Sequence, residues 1–66
     1  MKIEQIKRWV EEIREVAHDC EVAHTQEDDL YEAFIEYVAS NGAKDVKKKA
    51  KLILTTKQID FPRFKI

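Results

Sequence analysis

Five side chains able to do acid–base or metal chemistry fall close together: His18, Asp19, His24, Glu27 and Asp28. His24 precedes Glu27 by three residues and Asp28 by four. A helix running through His24 would set all three on one face, as helical metal ligands are set. A metal-binding or metal-dependent hydrolase site around His24 is therefore one reading of the chain. The spacing argues against it. Glu-x-x-His motifs in di-metal bundles come in pairs on separate helices, and here there is one, in reversed order. The zinc-protease pattern His-Glu-x-x-His is absent. The plainer reading gives these residues structural work. Thr25 caps a helix, Glu27, Asp28 and Asp29 meet the positive end of its dipole, and His24 fastens its start to the rest of the molecule. No catalytic or metal-ligating residue is assigned, no cofactor is called for, and a non-enzymatic protein is expected.

Cys20 is the single cysteine, with His18 and His24 near enough in sequence to serve as a base. Asp19 and Glu21 flank it, and negative neighbours disfavour a thiolate. A buried or incidental thiol is the simpler reading. One glycine in the whole chain rules out a glycine-rich phosphate loop.

The remaining chemistry is charge. Residues 1–10 carry three bases and one acid, residues 11–36 ten acids against Arg14, and residues 43–66 eight bases and two acids. Lys44, Lys47, Lys48 and Lys51 share one face of the lysine-rich segment and could contact the phosphates of a nucleic acid. Against this, the net charge is −1, and the segment lacks the Arg, Asn or Gln that reads bases. The acidic and basic regions either face each other across a small bundle or offer two charged surfaces to partners.

These residues must be positioned by helices. Ile3, Ile6, Val10, Ile13 and Val16 or Ala17 recur at spacings of three and four, which predicts a first helix over about Lys2–Ala17 with Trp9 widening its buried face. His18–His24 reads as a connector, with Asp19 able to cap a short turn from Cys20 to Ala23. A second helix is expected from Thr25, with Leu30, Phe34, Tyr37 and Val38 as its main apolar stripe and Tyr31 and Ile35 extending it to one side. Ser40-Asn41-Gly42 ends it, and Gly42 suits a left-handed residue. A third helix is expected from Ala43–Asp45 to about Thr55. Val46, Ala50, Ile53 and Leu54 form its stripe and Leu52 falls off it. In the tail, Ile59, Phe61, Phe64 and Ile66 are apolar at nearly every second position, and Pro62 pushes Phe61 toward an extended conformation. The tail is read as an extended arm docked on the bundle.

The 66 residues are expected to form one helical domain, 1–66: an all-α, three-helix bundle with the extended C-terminal tail packed on it. A chain this short buries only about 60% of the surface its unfolded form exposes, so its core is thin. A single cysteine excludes an internal disulfide and suits a reducing compartment, so a cytoplasmic location is expected. No apolar run approaches the roughly 20 residues needed to span a bilayer, so no membrane partner is expected.

Two stretches carry a resemblance. Ala23-His24-Thr25-Gln26-Glu27-Asp28-Asp29-Leu30-Tyr31, and Thr56-Lys57-Gln58-Ile59-Asp60-Phe61-Pro62-Arg63-Phe64, resemble small uncharacterised bacterial and phage helical proteins. Those have an Ala-His-x-x-Glu-Asp-x-Leu motif and end in Asp-Phe-x-Arg-aromatic. The resemblance covers about residues 18–64 and departs at Phe64, which stands where the pattern has Trp. No activity attaches to that group, so no catalytic residue is carried over. The resemblance implies that the His24 motif and the Phe61–Phe64 tail form one structural unit, and that the chain is a small accessory or host-interacting protein. Together with a thin core and many large apolar residues, this makes a protein-interaction module, as a homo-oligomer or with another protein, the leading expectation. Trp9, Tyr31, Tyr37, Phe61 and Phe64 are its candidate partner contacts.

Overall fold

The computed structural model describes residues 1–40 and 42–63. It is all-α. Helix α1 spans Ile3–Glu15, α2 spans Cys20–Ala39, α3 spans Val46–Ile53, and a 3-10 segment continues from α3 over Leu54–Gln58. There is no strand among the described residues. The molecule is flat, with extents of 36 × 25 × 14 Å, so one side of every helix faces solvent.

α1 forms as its spacing predicts. Ile6, Val10 and Ile13 are buried, and Ile3, Trp9, Val16 and Ala17 are partly so. Its charged face stays in water, where Arg14 donates to Glu11 at 3.3 Å. The Lys2 amide donates to Gln5 Oε1 at 2.8 Å, which satisfies one of the orphan donors at the helix start. α1 touches α2, α3 and the 3-10 segment and is the element the others pack around. Removing a side chain such as Ile6, Ile13 or Leu30, all at 0% exposure, from water contributes about 1.5–3 kcal/mol each.

α2 begins earlier than the sequence suggests. Asp19 is the N-cap, in an extended conformation, and its carboxylate accepts from the Val22 amide at 3.3 Å. Thr25 therefore lies inside the helix and caps nothing, and Glu27, Asp28 and Asp29 sit beyond the first turn. The earlier start adds a turn that buries Ala23 completely. α2 ends at Ala39; Ser40 turns back, its hydroxyl donating to the Tyr37 carbonyl at 2.6 Å. Gly42 takes φ +87° and Asp45 φ +52°, so two left-handed residues reverse the chain. Glycine does this freely, and aspartate is among the few others that tolerate it.

α3 is shorter than expected and turned about its axis. Lys49 is buried (6% exposed) and Leu54 is exposed, while Leu52 packs against the core. The cause is Tyr37. Its hydroxyl accepts the Lys49 ammonium at 2.7 Å, and the ammonium lies 4.5 Å from the ring centroid. The lysine stem can then lie inward while its charge keeps a partner. The helix tightens to 3-10 geometry where Thr55 Oγ1 donates to the Leu52 carbonyl at 2.6 Å, a β-branched residue competing for a helical acceptor.

Beyond Gln58 the chain is extended. Ile59 and Phe61 alternate with exposed Asp60 and Pro62, so both apolar side chains point to the core, at 4% and 5% exposure. This is the docked arm that the alternation predicts. Phe64 and Ile66 lie outside the described residues.

Candidate protein-docking site

The one buried ion pair among the described residues joins α2 to the arm. Glu27 is 2% exposed and sits inside α2, two turns from its start. Arg63 Nε donates to its Oε1 at 2.8 Å and Nη2 to its Oε2 at 2.9 Å. The other guanidinium hydrogens reach the carbonyls of Thr56 (2.8 Å), Ile59 and Phe61 (3.3 Å each), and the group lies 3.8 Å from the Phe61 ring centroid. Burial pushes the Glu27 carboxyl up. The hydrogen bonds from Arg63 and the Thr56 hydroxyl, with the Arg63 and Lys57 charges, outweigh it and hold the group below the usual carboxylate range. Bonding to Glu27 in turn raises the Arg63 pKa. Thr56, fully buried, also shares a hydrogen bond with the Tyr31 hydroxyl at 2.9 Å. Both ions are paired and hydrogen-bonded, so the arrangement binds the arm to the bundle.

The two stretches that carry the resemblance thus meet, through Glu27 of the first and Arg63 of the second. His24 does not join them. It faces Asp28 of its own helix at 3.7 Å, with 40% of its side chain exposed. Helix α2 does run through His24, but Glu27 is committed to Arg63. No three His, Cys, Asp or Glu side chains converge among the described residues. His18 is exposed, Asp19 caps, and Cys20, the first residue of α2, is partly buried against the core.

The surface offers a different feature. Tyr31, Phe34 and Ile35 of α2, with Ala50 and Ile53 of α3 and Leu54 after it, line an open groove of about 230 Å³ to which α1 contributes nothing. Ile35 is 67% exposed and Leu54 56%, the most exposed large hydrophobic side chains described. They stand on opposite rims, and Val38, 44% exposed, continues the apolar face along α2. The groove runs between helices of opposite charge. α2 carries Glu21, Glu27, Asp28, Asp29, Glu32 and Glu36 and no lysine or arginine. α3 carries Lys47, Lys48, Lys49 and Lys51 and no acid.

Of the aromatic residues singled out in the sequence, Tyr31 lines this groove. Trp9 is half-buried on α1, and Phe61 is buried beneath Arg63. Tyr37 is tied to Lys44, whose amide donates to its hydroxyl at 2.7 Å and whose carbonyl accepts from it at 3.0 Å. The Lys49 bond, then the Lys44 amide, lowers the Tyr37 phenol below its ordinary range. Phe64 lies outside the described residues. Lys44, Lys47, Lys48 and Lys51 are all exposed, and the last three share a shallow concavity with Asp45 and Val46. Ile35 and Leu54 are not among the contacts singled out in the sequence. The available signal was the width of the apolar arc of α2, where Tyr31, Ile35 and Val38 exceed what one thin core can cover. No family model, curated protein or solved structure matches this chain.

Proposed function

We propose that this protein is a non-enzymatic interaction module that receives a partner's apolar side chains in the α2–α3 groove. The observation that supports this is the pairing of Ile35 and Leu54, more than half exposed, on the two rims of one apolar groove. Apolar patches rimmed by charge mark interaction sites. The bacterial or phage accessory role implied by the resemblance fits such a module, as does a cytoplasmic setting.

The test separates docking from folding. Ile35→Ser and Leu54→Ser are expected to leave the unfolding free energy of the dilute monomer, measured in urea, within about 0.5 kcal/mol of the parent, as surface changes do. A loss of 2 kcal/mol or more, on the order of a core truncation, would show that both residues serve the fold, and the docking reading would fall. The competing reading uses Lys44, Lys47, Lys48 and Lys51 on nucleic acid. It requires duplex or single-stranded binding at low salt that weakens steeply as salt rises and is lost in Lys47→Glu with Lys48→Glu.

A further inference from the structure

We infer that the occupant of the groove is a second copy of this chain, related by a two-fold axis running parallel to the groove. This rests on the reading of the groove as a docking face and names what docks there.

At 100° per residue along a helix, Asp28, Glu32 and Glu36 fall beside Ile35, on the side away from Phe34. By the same count Lys47 and Lys51 fall beside Leu54, on the side away from Ile53. All five are exposed. The apolar groove therefore has an acidic outer wall on α2 and a basic outer wall on α3. A two-fold axis along the groove carries each wall over the opposite wall of the other copy, acid above base on both sides. An axis across the groove would set acid on acid and base on base. Isologous contact requires a face that complements itself, and this one does so in one orientation.

The heights also agree. Tyr37 bonds Lys49 and Tyr31 bonds Thr56, so α2 and α3 run antiparallel in a fixed register. An axis along the groove preserves height. By that register Glu36 of one protomer lies level with Lys51 of the other and about one turn from Lys47, and Glu32 lies about one turn from Lys51. Ile35 of each copy lies within about one turn of Leu54 of the other, near enough for the two side chains to meet, so the rim residues most exposed in the monomer are the ones buried. A net charge of −1 leaves little overall repulsion between copies.

Sedimentation equilibrium of the full chain, over micromolar to millimolar concentrations and at low and high salt, reads this directly. A monomer–dimer equilibrium is expected, weakened by salt. Glu36→Lys should weaken it by about tenfold or more, because it places like charges together at two symmetric points. Adding Lys51→Glu to that variant should restore affinity to within about threefold of the parent, which a folding defect would not do. Circular dichroism confirms that each variant is helical. A chain monomeric throughout the range overturns the inference. So does a dimer indifferent to Glu36→Lys, or one that Lys51→Glu fails to rescue. These failures are distinct from that of the docking reading, which is decided by the urea unfolding of dilute Ile35→Ser and Leu54→Ser.

Discussion

Replacing Arg63 by Met would strip the Glu27 carboxylate of two N–H donors and leave it buried. Breaking a buried pair from one side costs about 3–5 kcal/mol. A chain of this size holds on the order of 3–10 kcal/mol in total, at roughly 0.05–0.15 kcal/mol per residue, so Arg63→Met should unfold a large fraction of the molecules in dilute urea. The double variant Glu27→Leu with Arg63→Met should recover much of that loss, since apolar replacement of a buried pair is often neutral. A denaturation series on the three proteins checks both. The same pair sets a pH dependence. The folded Glu27 pKa lies below its ordinary value of 4.5. In the interval between folded and unfolded values the unfolded chain binds the proton and the native chain does not. The contribution of the pair is therefore complete above the unfolded value and lost as pH falls through the lower, folded one. Glu27→Gln should flatten the acid limb of a stability–pH curve, and an unchanged limb would show that Glu27 does not carry it.

Among the elements, the start of α2 is where two caps compete. Asp19→Ala should cost about 1 kcal/mol, the usual worth of an N-cap. Thr25→Ala should be neutral or stabilising by a few tenths of a kcal/mol, since alanine is the better interior helix former. The reverse ranking in thermal melts would place the helix start at Thr25. Both residues are cap formers, and local chemistry alone does not choose between them. The choice is made by packing, because starting at Asp19 buries Ala23 and projects Glu27 toward the arm. The orientation of α3 was hidden for a related reason. Periodicity places Leu54 inside only if every lysine is kept outside. The Tyr37 hydroxyl lets Lys49 turn inward, and Leu54 is rotated into water. α1 was legible because its apolar stripe has no such polar competitor. The arm was legible because Pro62 and the alternation of Ile59 with Phe61 act locally. The groove was not, because it depends on how α2 and α3 are turned toward each other.

For the molecule as a whole, the arm closes the core. Ile59 and Phe61 are two of the eight buried hydrophobic residues among those described, and Arg63 is the partner that makes burying Glu27 tolerable. A chain cut after Gln58 should show no cooperative melt by circular dichroism, whereas removal of an exposed surface side chain would leave one. The segregation of acids on α2 and lysines on α3 has a further physical consequence. A protein of net charge −1 and isoelectric point near 6.1 with its charges sorted in this way is a strong electric dipole. At low ionic strength such dipoles attract one another, and screening within a Debye length of about 10 Å at 0.1 M weakens that attraction. Solubility near the isoelectric point should therefore rise with the first additions of salt. In the two-fold pair the transverse dipoles of the two copies are opposed and cancel, so dimerisation would render the protein dielectrically quiet across the groove.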